Sequence, residues 1–322
     1  MNLSLKPRWS AIHGMTLIGL CFVTGCGRPL DLGLKLQTGD KRIVLVTVTS
    51  VETVTVPGRT AEKHAGEEMA YLFEVSDVSP DAGATTKVTI TSSDRTEGRS
   101  FSVEGASGFM PVDEQTALLE KLTRHMKGES FTARLNSRGE VASVSGMEKV
   151  LVGAMAKYVA EKPTERSLFD RVRGKDEQMK ALNDEVRADL DELLHIYPES
   201  PVRMGGTWIQ ETSYDSDITL DIKRSFEVKR LEEDTITIES NGEVQSVTFN
   251  GRGDSSGSIL GPGFDGKEVG TISLDRATGW IKKAEFTLQG STMINYSSKN
   301  AGAKEIKFAI ENKTIVESFP AN

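Results

Sequence analysis

From Ile218 to Val228 apolar and polar residues alternate: Ile218, Leu220, Ile222, Phe226 and Val228 are apolar, while Thr219, Asp221, Lys223, Ser225, Glu227 and the following Lys229 are polar. A period of two sends successive side chains to opposite faces of an extended chain, so this segment specifies an antiparallel strand with one dry and one wet face. The same alternation runs through Trp280, Ala284, Phe286 and Leu288, and through Ile306, Phe308 and Ile310. Near the start, Val44, Val46, Val48, Val54 and Val56 oppose Thr47, Thr49, Thr53 and Thr55. Strands of this kind need a helix or a second sheet over the dry face.

The middle of the chain changes period. Met147, Val150, Leu151, Ala154, Met155 and Tyr158 follow helical spacing, with Ser145 and Glu148 placed as a capping box. Met179, Leu182, Val186, Leu190, Leu193 and Leu194 mark a second helix that stops before Pro198, and a shorter one is expected from Asp113 to Met126, closed by Gly128. These stripes read as core packing rather than as a cofactor site. Asn241-Gly242 predicts a tight hairpin, because both residues tolerate positive φ. Asn136-Ser137-Arg138-Gly139 and Arg276-Ala277-Thr278-Gly279 predict longer hairpin loops with glycine at the left-handed position.

These elements give an α+β fold: a mainly antiparallel sheet with central helices packed on it. Residues 31–322 form a single domain, with a β run over 31–146, helices over 147–196 and a β run over 201–318. Leu135-Asn136-Ser137-Arg138-Gly139-Glu140-Val141 is echoed by Leu274-Asp275-Arg276-Ala277-Thr278-Gly279-Trp280-Ile281. Either the two β runs are related halves sharing one sheet, or glycine hairpins simply recur in it.

Ahead of the domain, Lys6 and Arg8 precede a short apolar stretch through Leu17, Leu20 and Phe22, which ends in the small residues Thr24 and Gly25. That order is the order of a secretory signal, here residues 1–25. The stretch falls short of the roughly 18 to 20 residues that a membrane-crossing helix needs, which argues against a permanent transmembrane anchor. Val23-Thr24-Gly25-Cys26 resembles the bacterial lipobox. The resemblance implies that the Cys26 thiol receives a diacylglyceryl group, that the preceding peptide is removed, and that residues 26–30 form a lipidated tether. One acyl chain holds a protein on a membrane only marginally and two or three hold it firmly, at about 0.8 kcal/mol per buried CH₂. Gly27 after the cysteine, in place of aspartate, points by the same resemblance to the outer membrane, facing the periplasm.

The other cysteine, Cys21, lies in the segment to be removed, so a chain beginning at Cys26 forms no internal disulfide and no cysteine metal site. About 300 residues bury enough surface without either. Losing Lys6 and Arg8 takes the formal charge from −8 to −10, and an acidic balance spread along the chain argues against a nucleic acid partner.

Motifs for chemistry are weak. Gly253-Asp254-Ser255-Ser256-Gly257 has the spacing of a hydrolase nucleophile elbow, but no helix follows it and no histidine lies beyond His195; the others after the leader are His64 and His125. Gly261-Pro262-Gly263-Phe264-Asp265-Gly266 has dinucleotide-fingerprint spacing without the parallel strand and helix that the fingerprint requires. Arg252-Gly253-Asp254 is a chance tripeptide in the same glycine-rich stretch. Asp215, Asp217 and Asp221 could face calcium but lack the glycine turn of a calcium loop, and read as a solvated strand face. The expectation is therefore no catalytic residue, no metal and no cofactor.

Three segments after the lipobox, Leu34-Lys35-Leu36-Gln37-Thr38-Gly39-Asp40, Phe131 through Gly146, and Pro201-Val202-Arg203-Met204-Gly205-Gly206-Thr207-Trp208, together resemble an uncharacterised family of planctomycete-type lipoproteins carrying a domain of unknown function. That family has no activity to carry over. The architecture is also similar to the lipoprotein-carrier half-barrel, which implies a curved sheet embracing the helices. Two readings stay open: a membrane-anchored envelope protein that binds a lipophilic ligand, or a structural envelope lipoprotein whose partner is another protein.

Overall fold

A computed structural model describes residues 29–79, 83–97, 122–165, 176–214, 218–249, 257–260, 264–298 and 302–321. The leader, Cys26, Asp215, Asp217, the Arg252-Gly253-Asp254 tripeptide, Ser255, Ser256 and the Gly261-Pro262-Gly263 turn lie outside these residues.

Among the described residues, twelve strands form one antiparallel open sheet. In chain order they are β1 (Lys41–Val56), β2 (Arg59–Ser79), β3 (Gly83–Glu97), β4 (Ser130–Leu135), β5 (Val141–Ser145), β6 (Thr207–Tyr214), β7 (Ile218–Leu231), β8 (Thr235–Phe249), β9 (Gly257–Leu260), β10 (Asp265–Asp275), β11 (Ile281–Ser298) and β12 (Gly302–Pro320). Across the sheet the order is β5-β4-β3-β2-β1-β12-β11-β10-β8-β7-β6, with β9 on β11. β1 to β5 make one wing of the sheet and β6 to β12 the other. They join where β1 pairs with β12, in a register running from Arg42 opposite Pro320 to Thr55 opposite Lys307.

The two-residue period selects one inner face. Val44, Val46 and Val48 of β1 stand opposite Ser318, Val316 and Thr314 of β12, and Ala284 and Phe286 of β11 stand opposite the same Val316 and Thr314. Ile272 continues the row to Ile238 and then Val228. Phe73, Val88, Ala133, Phe226, Ile238 and Ile272 are fully buried.

Helix α1 (Met147–Glu161) buries all six residues of its expected stripe, from Met147 to Tyr158. Its start differs from the expected capping box: Gly146 is the cap at φ 97°, a residue with no side chain of its own to bond the first turn. Ser145 is instead the last residue of β5, paired with Thr132. A left-handed glycine lets the chain turn from strand into helix within one residue, so the serine never reaches a capping position. Helix α2 (Asp176–Leu194) buries Leu190 and Leu194 of its stripe, while Val186 and Leu193 are partly buried. Of the third expected helix, the described part from Leu122 tightens into a 3₁₀ turn at Arg124–Met126, and Gly128 at φ 85° leads into β4.

Two hairpins form as the sequence predicts. The β4–β5 turn carries Gly139 at φ 77°, and the β10–β11 turn carries Gly279 at φ 79°. Their echo has a shared cause. Asn136 Oδ1 accepts the Arg138 and Glu140 amides at 2.9 and 3.0 Å, and Asp275 Oδ1 accepts the Ala277 and Thr278 amides at 3.0 and 2.8 Å. A short side-chain acceptor that bonds the backbone just ahead of it sets both turns.

The hairpin expected at Asn241-Gly242 does not exist. β8 runs straight through, with Asn241 paired to Ser225 and Val269, and Gly242 to Arg224 and Glu268. The glycine serves side-chain room rather than a turn: a Cβ there would sit 3.1 Å from Glu268 Cβ and 3.2 Å from Ile222 Cγ2.

Candidate functional site: a cavity beneath the second helix

Helix α2 crosses the inner face and is tied to both wings by adjacent residues. Asp191 Oδ1 accepts the Val141 amide of β5 at 2.7 Å, and Glu192 Oε1 accepts from Arg224 Nη2 of β7 at 3.3 Å. Asn183 Oδ1 also accepts the Met147 amide of α1 at 3.4 Å. Successive residues on a helix point about 100° apart, so one turn of α2 reaches in two directions at once.

Between α2 and the sheet lies a cavity of about 310 Å³. Val46, Met69, Phe286 and Val316 line it from the strands, and Leu190 and Leu193 from the helix. Its volume falls at the lower end of the roughly 300 to 1,000 Å³ of small-molecule sites.

One wall is charged. Arg224 and Glu268 are each about 5–7% exposed and flank Gly242 across three strands. Arg224 donates to both carboxylate oxygens of Glu268, from Nε at 2.7 Å and Nη2 at 2.9 Å, and its guanidinium lies 5.7 Å from the Phe286 ring centre. A bidentate pair with an aromatic beside it is the form in which a buried guanidinium is best accommodated. Gly242 makes this possible by leaving space where any other residue would place a Cβ.

Tyr71, which also lines the cavity, donates its hydroxyl to the Met69 sulfur at 3.3 Å. Burial, together with the nearby carboxylates of Asp189 and Glu67, pushes the Tyr71 pKa well above that of a free phenol.

The three described histidines lie away from the cavity. His64 is exposed near Glu62, His125 bonds Glu161 and packs on Tyr158, and His195 faces Asp191 at 3.4 Å. Among the described residues no group of three or more His, Cys, Asp or Glu is arranged to hold a metal ion. No described helix is long and apolar enough to cross a membrane.

Arg224 and Glu268 were missed by pattern reading, although a trace is present in the sequence. Arg224 occupies the one even position between Ile218 and Val228 that is not apolar, a charge on the dry face of an otherwise regular strand. Glu268 breaks the inner row of β10 in the same way, between Gly266 and Gly270.

A family model spans residues 99–281, which include Glu192, Arg224 and Glu268. The chain belongs to a family of unknown function, DUF6263. No curated protein matches it. Among solved structures, a lipovitellin described for its lipid–protein interactions is similar at 10% identity and a TM-score of 0.46, over 89% of this chain and 26% of that one. The chain thus spans about a quarter of lipovitellin's length. An outer membrane channel from Pseudomonas putida F1 is similar at 9% identity and a TM-score of 0.26, over 91% and 99%. A DUF1329 family protein from Desulfovibrio piger is similar at 9% identity and a TM-score of 0.14, over 88% and 85%. At these scores the likenesses are loose.

Proposed function

We propose that this protein is an envelope lipoprotein, anchored through lipid on Cys26 to the outer membrane and facing the periplasm, whose sheet curves as a half-barrel around a lipophilic ligand. The observation that carries this reading is the cavity under α2, with its aliphatic wall of Val46, Val316, Leu190 and Leu193. A chain that needed only a filled core would close such a space, because unfilled apolar volume destabilises a fold by about 24 cal/mol per Å³.

Curvature is supported by the segment ahead of β1. The Leu34 amide donates to Ser137 O of the β4–β5 turn at 2.6 Å, and the next amide, Lys35, donates to Thr278 O of the β10–β11 turn at 2.9 Å. In a flat sheet those turns would be separated by at least five strand spacings, about 24 Å at ~4.8 Å each. Two adjacent amides reach carbonyls no more than roughly 10 Å apart.

The two most exposed large apolar residues among those described do not form a patch. Ile209 and Val269, 58% and 57% exposed, share a row of the outer face but are separated there by Ser225 and Asn241. Isolated exposed apolar residues of this kind are ordinary surface.

The test is extraction of protein purified from native membranes, followed by mass spectrometry after exhaustive washing. A lipophile recovered in near-stoichiometric amount, and lost on Leu193→Trp, is expected. Recovery of none from the unaltered protein would sink the reading.

A further inference from the structure

Between Leu30 and Leu36 every second residue is leucine, alternating with Asp31, Gly33 and Lys35, the pattern of an extended segment with one buried side. Leu32 and Leu34 are buried, and Leu30 and Leu36 pack against the same core. The segment runs across one end of the sheet, where β1 begins, β12 ends and the β4–β5, β7–β8 and β10–β11 turns lie. Backbone bonds hold it there. The Leu30 amide donates to Val202 O at 2.6 Å and the Val202 amide to Leu30 O at 3.0 Å, ahead of the bonds from Leu34 and Lys35 to two of the turns. Gly33 allows the close approach, since a Cβ there would come within 2.8 Å of Ser137 O.

Cys26 is four residues ahead of Leu30, a reach of at most about 14 Å. A lipid on Cys26 therefore holds this end of the sheet close to a leaflet, and the inference rests on the anchoring in the reading above. The opposite end is far off. Met293 pairs with Lys307 of β12, and the strand from there to Phe319 is roughly 40 Å long at ~3.4 Å per residue.

The end near the tether also carries apolar side chains that the core does not use. Val78, Met204, Leu231 and Phe319 are between 36% and 50% exposed. Val78 is next to last in β2, Leu231 is last in β7, Phe319 is next to last in β12, and Met204 follows shortly after Val202. Four separate parts of the chain thus place an apolar residue at one rim. Such a rim forms no continuous patch for a convex partner, but each of its points can meet a plane. Charge there is matched rather than basic: Arg230 meets Glu232 at 3.5 Å, and Lys282 meets Asp234 at 3.1 Å. The partner that fits is a bilayer of zwitterionic lipid, since attraction to anionic lipid needs a cluster of unpaired basic residues.

We infer that this end of the sheet is a membrane-contact surface: Val78, Met204, Leu231 and Phe319 enter the zwitterionic leaflet that carries the Cys26 lipid, and β11 and β12 stand out from it. The lipid supplies the hold, and the rim sets the orientation of the sheet on the membrane.

The test is spin labelling of the lipidated protein reconstituted into phosphatidylcholine vesicles. With Cys26 lipidated and the leader removed the chain has no free thiol, so Phe319→Cys, Leu231→Cys and Met293→Cys each take a single nitroxide. The labels replacing Phe319 and Leu231 should be accessible to oxygen and shielded from a water-soluble nickel complex, while the label replacing Met293 stays accessible to nickel. Nickel access at both rim positions, or shielding there from both probes as a protein contact would give, overturns the inference. A second measurement needs no lipid on the protein. The chain from position 26 onward with Cys26→Ser should partition into the same vesicles, and Val78→Ser, Leu231→Ser and Phe319→Ser together should weaken that partitioning by about tenfold or more while leaving urea unfolding unchanged. Equal partitioning of the two forms also overturns it. The mass of the amino-terminal peptide from native membranes separates the two readings. An unmodified Cys26 overturns the anchoring and, with it, the leaflet named here; lipid on Cys26 with the rim labels in water overturns the contact surface alone.

Discussion

The two wings of the sheet are covered by helices in different ways. Under α1, the β3–β5 end of the sheet is closely covered: Val88, Ala133, Val150 and Ala154 are all fully buried. Under α2, apolar contact is incomplete, Val186 and Leu193 line open space, and a buried ion pair occupies the inner face at Arg224 and Glu268. Both wings are made of the same alternating strands, so strand pattern does not distinguish them. The difference comes from glycine and charge on the inner face. Where the inner residues carry no charge, a helix settles onto the sheet; where Gly242 makes room for Arg224 and Glu268, the helix is held by polar ties and stands away from it.

The largest effect that would break this contrast is loss of Arg224. Arg224→Ala leaves Glu268 buried without its partner and should cost about 3–5 kcal/mol in urea unfolding. Replacing both, as Arg224→Met with Glu268→Leu, should recover most of that loss, since two apolar residues of similar size remove the buried charge altogether. If the single and double variants are equally unstable, the ion pair is not what separates the wings.

Truncations in the two helices sharpen the comparison. Leu151→Ala in α1 opens a hole in a closed core and should cost about 2–5 kcal/mol. Leu193→Ala in α2 faces space that already exists and should cost roughly 1 kcal/mol. Equal costs by thermal or chemical denaturation would mean that α2 packs as tightly as α1.

The smallest expected difference lies in the hairpins, whose turn-setting residues are Asn136 in one wing and Asp275 in the other. Burial disfavours the charged Asp275 carboxylate. Bonds from the Thr278 amide and hydroxyl and the Ala277 amide, with Arg42 nearby, outweigh it and hold the carboxyl below the usual aspartate range. A depressed folded value means that the stabilisation is complete above the unfolded value near 3.8 and is lost as pH falls through the folded one. Amide exchange in the β10–β11 turn, corrected for intrinsic rates, should therefore accelerate in acid while the β4–β5 turn, set by an asparagine that does not titrate, keeps its protection. Asp275→Asn should remove the difference.

How far the sequence discloses this architecture depends on the range of the interaction involved. Alternation in β1, β7, β11 and β12 and the stripe of α1 are local, and each residue of that stripe is buried in the structure. Both glycine hairpins are local as well. Asn241-Gly242 misleads because the role of the dipeptide is set from outside it: its glycine answers to Glu268 and Ile222, on strands that only the fold brings beside it. The Ser145 cap fails for a related reason, since pairing of Ser145 with Thr132 was invisible to helix rules. The candidate site was the least legible part. Its wall gathers residues from Val46 to Val316, and the inward charge at Arg224 leaves only a single interruption in a regular pattern.

The pairing of β1 with β12 has a consequence for how the protein is made. Residues 42–55 are hydrogen-bonded to residues 307–320, with nearly the whole domain between them. Contacts of such sequence separation close late, because the loop entropy is lost before any pairing compensates it. During synthesis the first wing emerges with one edge of β1 open, and it stays open until β12 is available. Until β12 is made, a chain with this topology lacks its central seam and exposes an unpaired strand edge to aggregation.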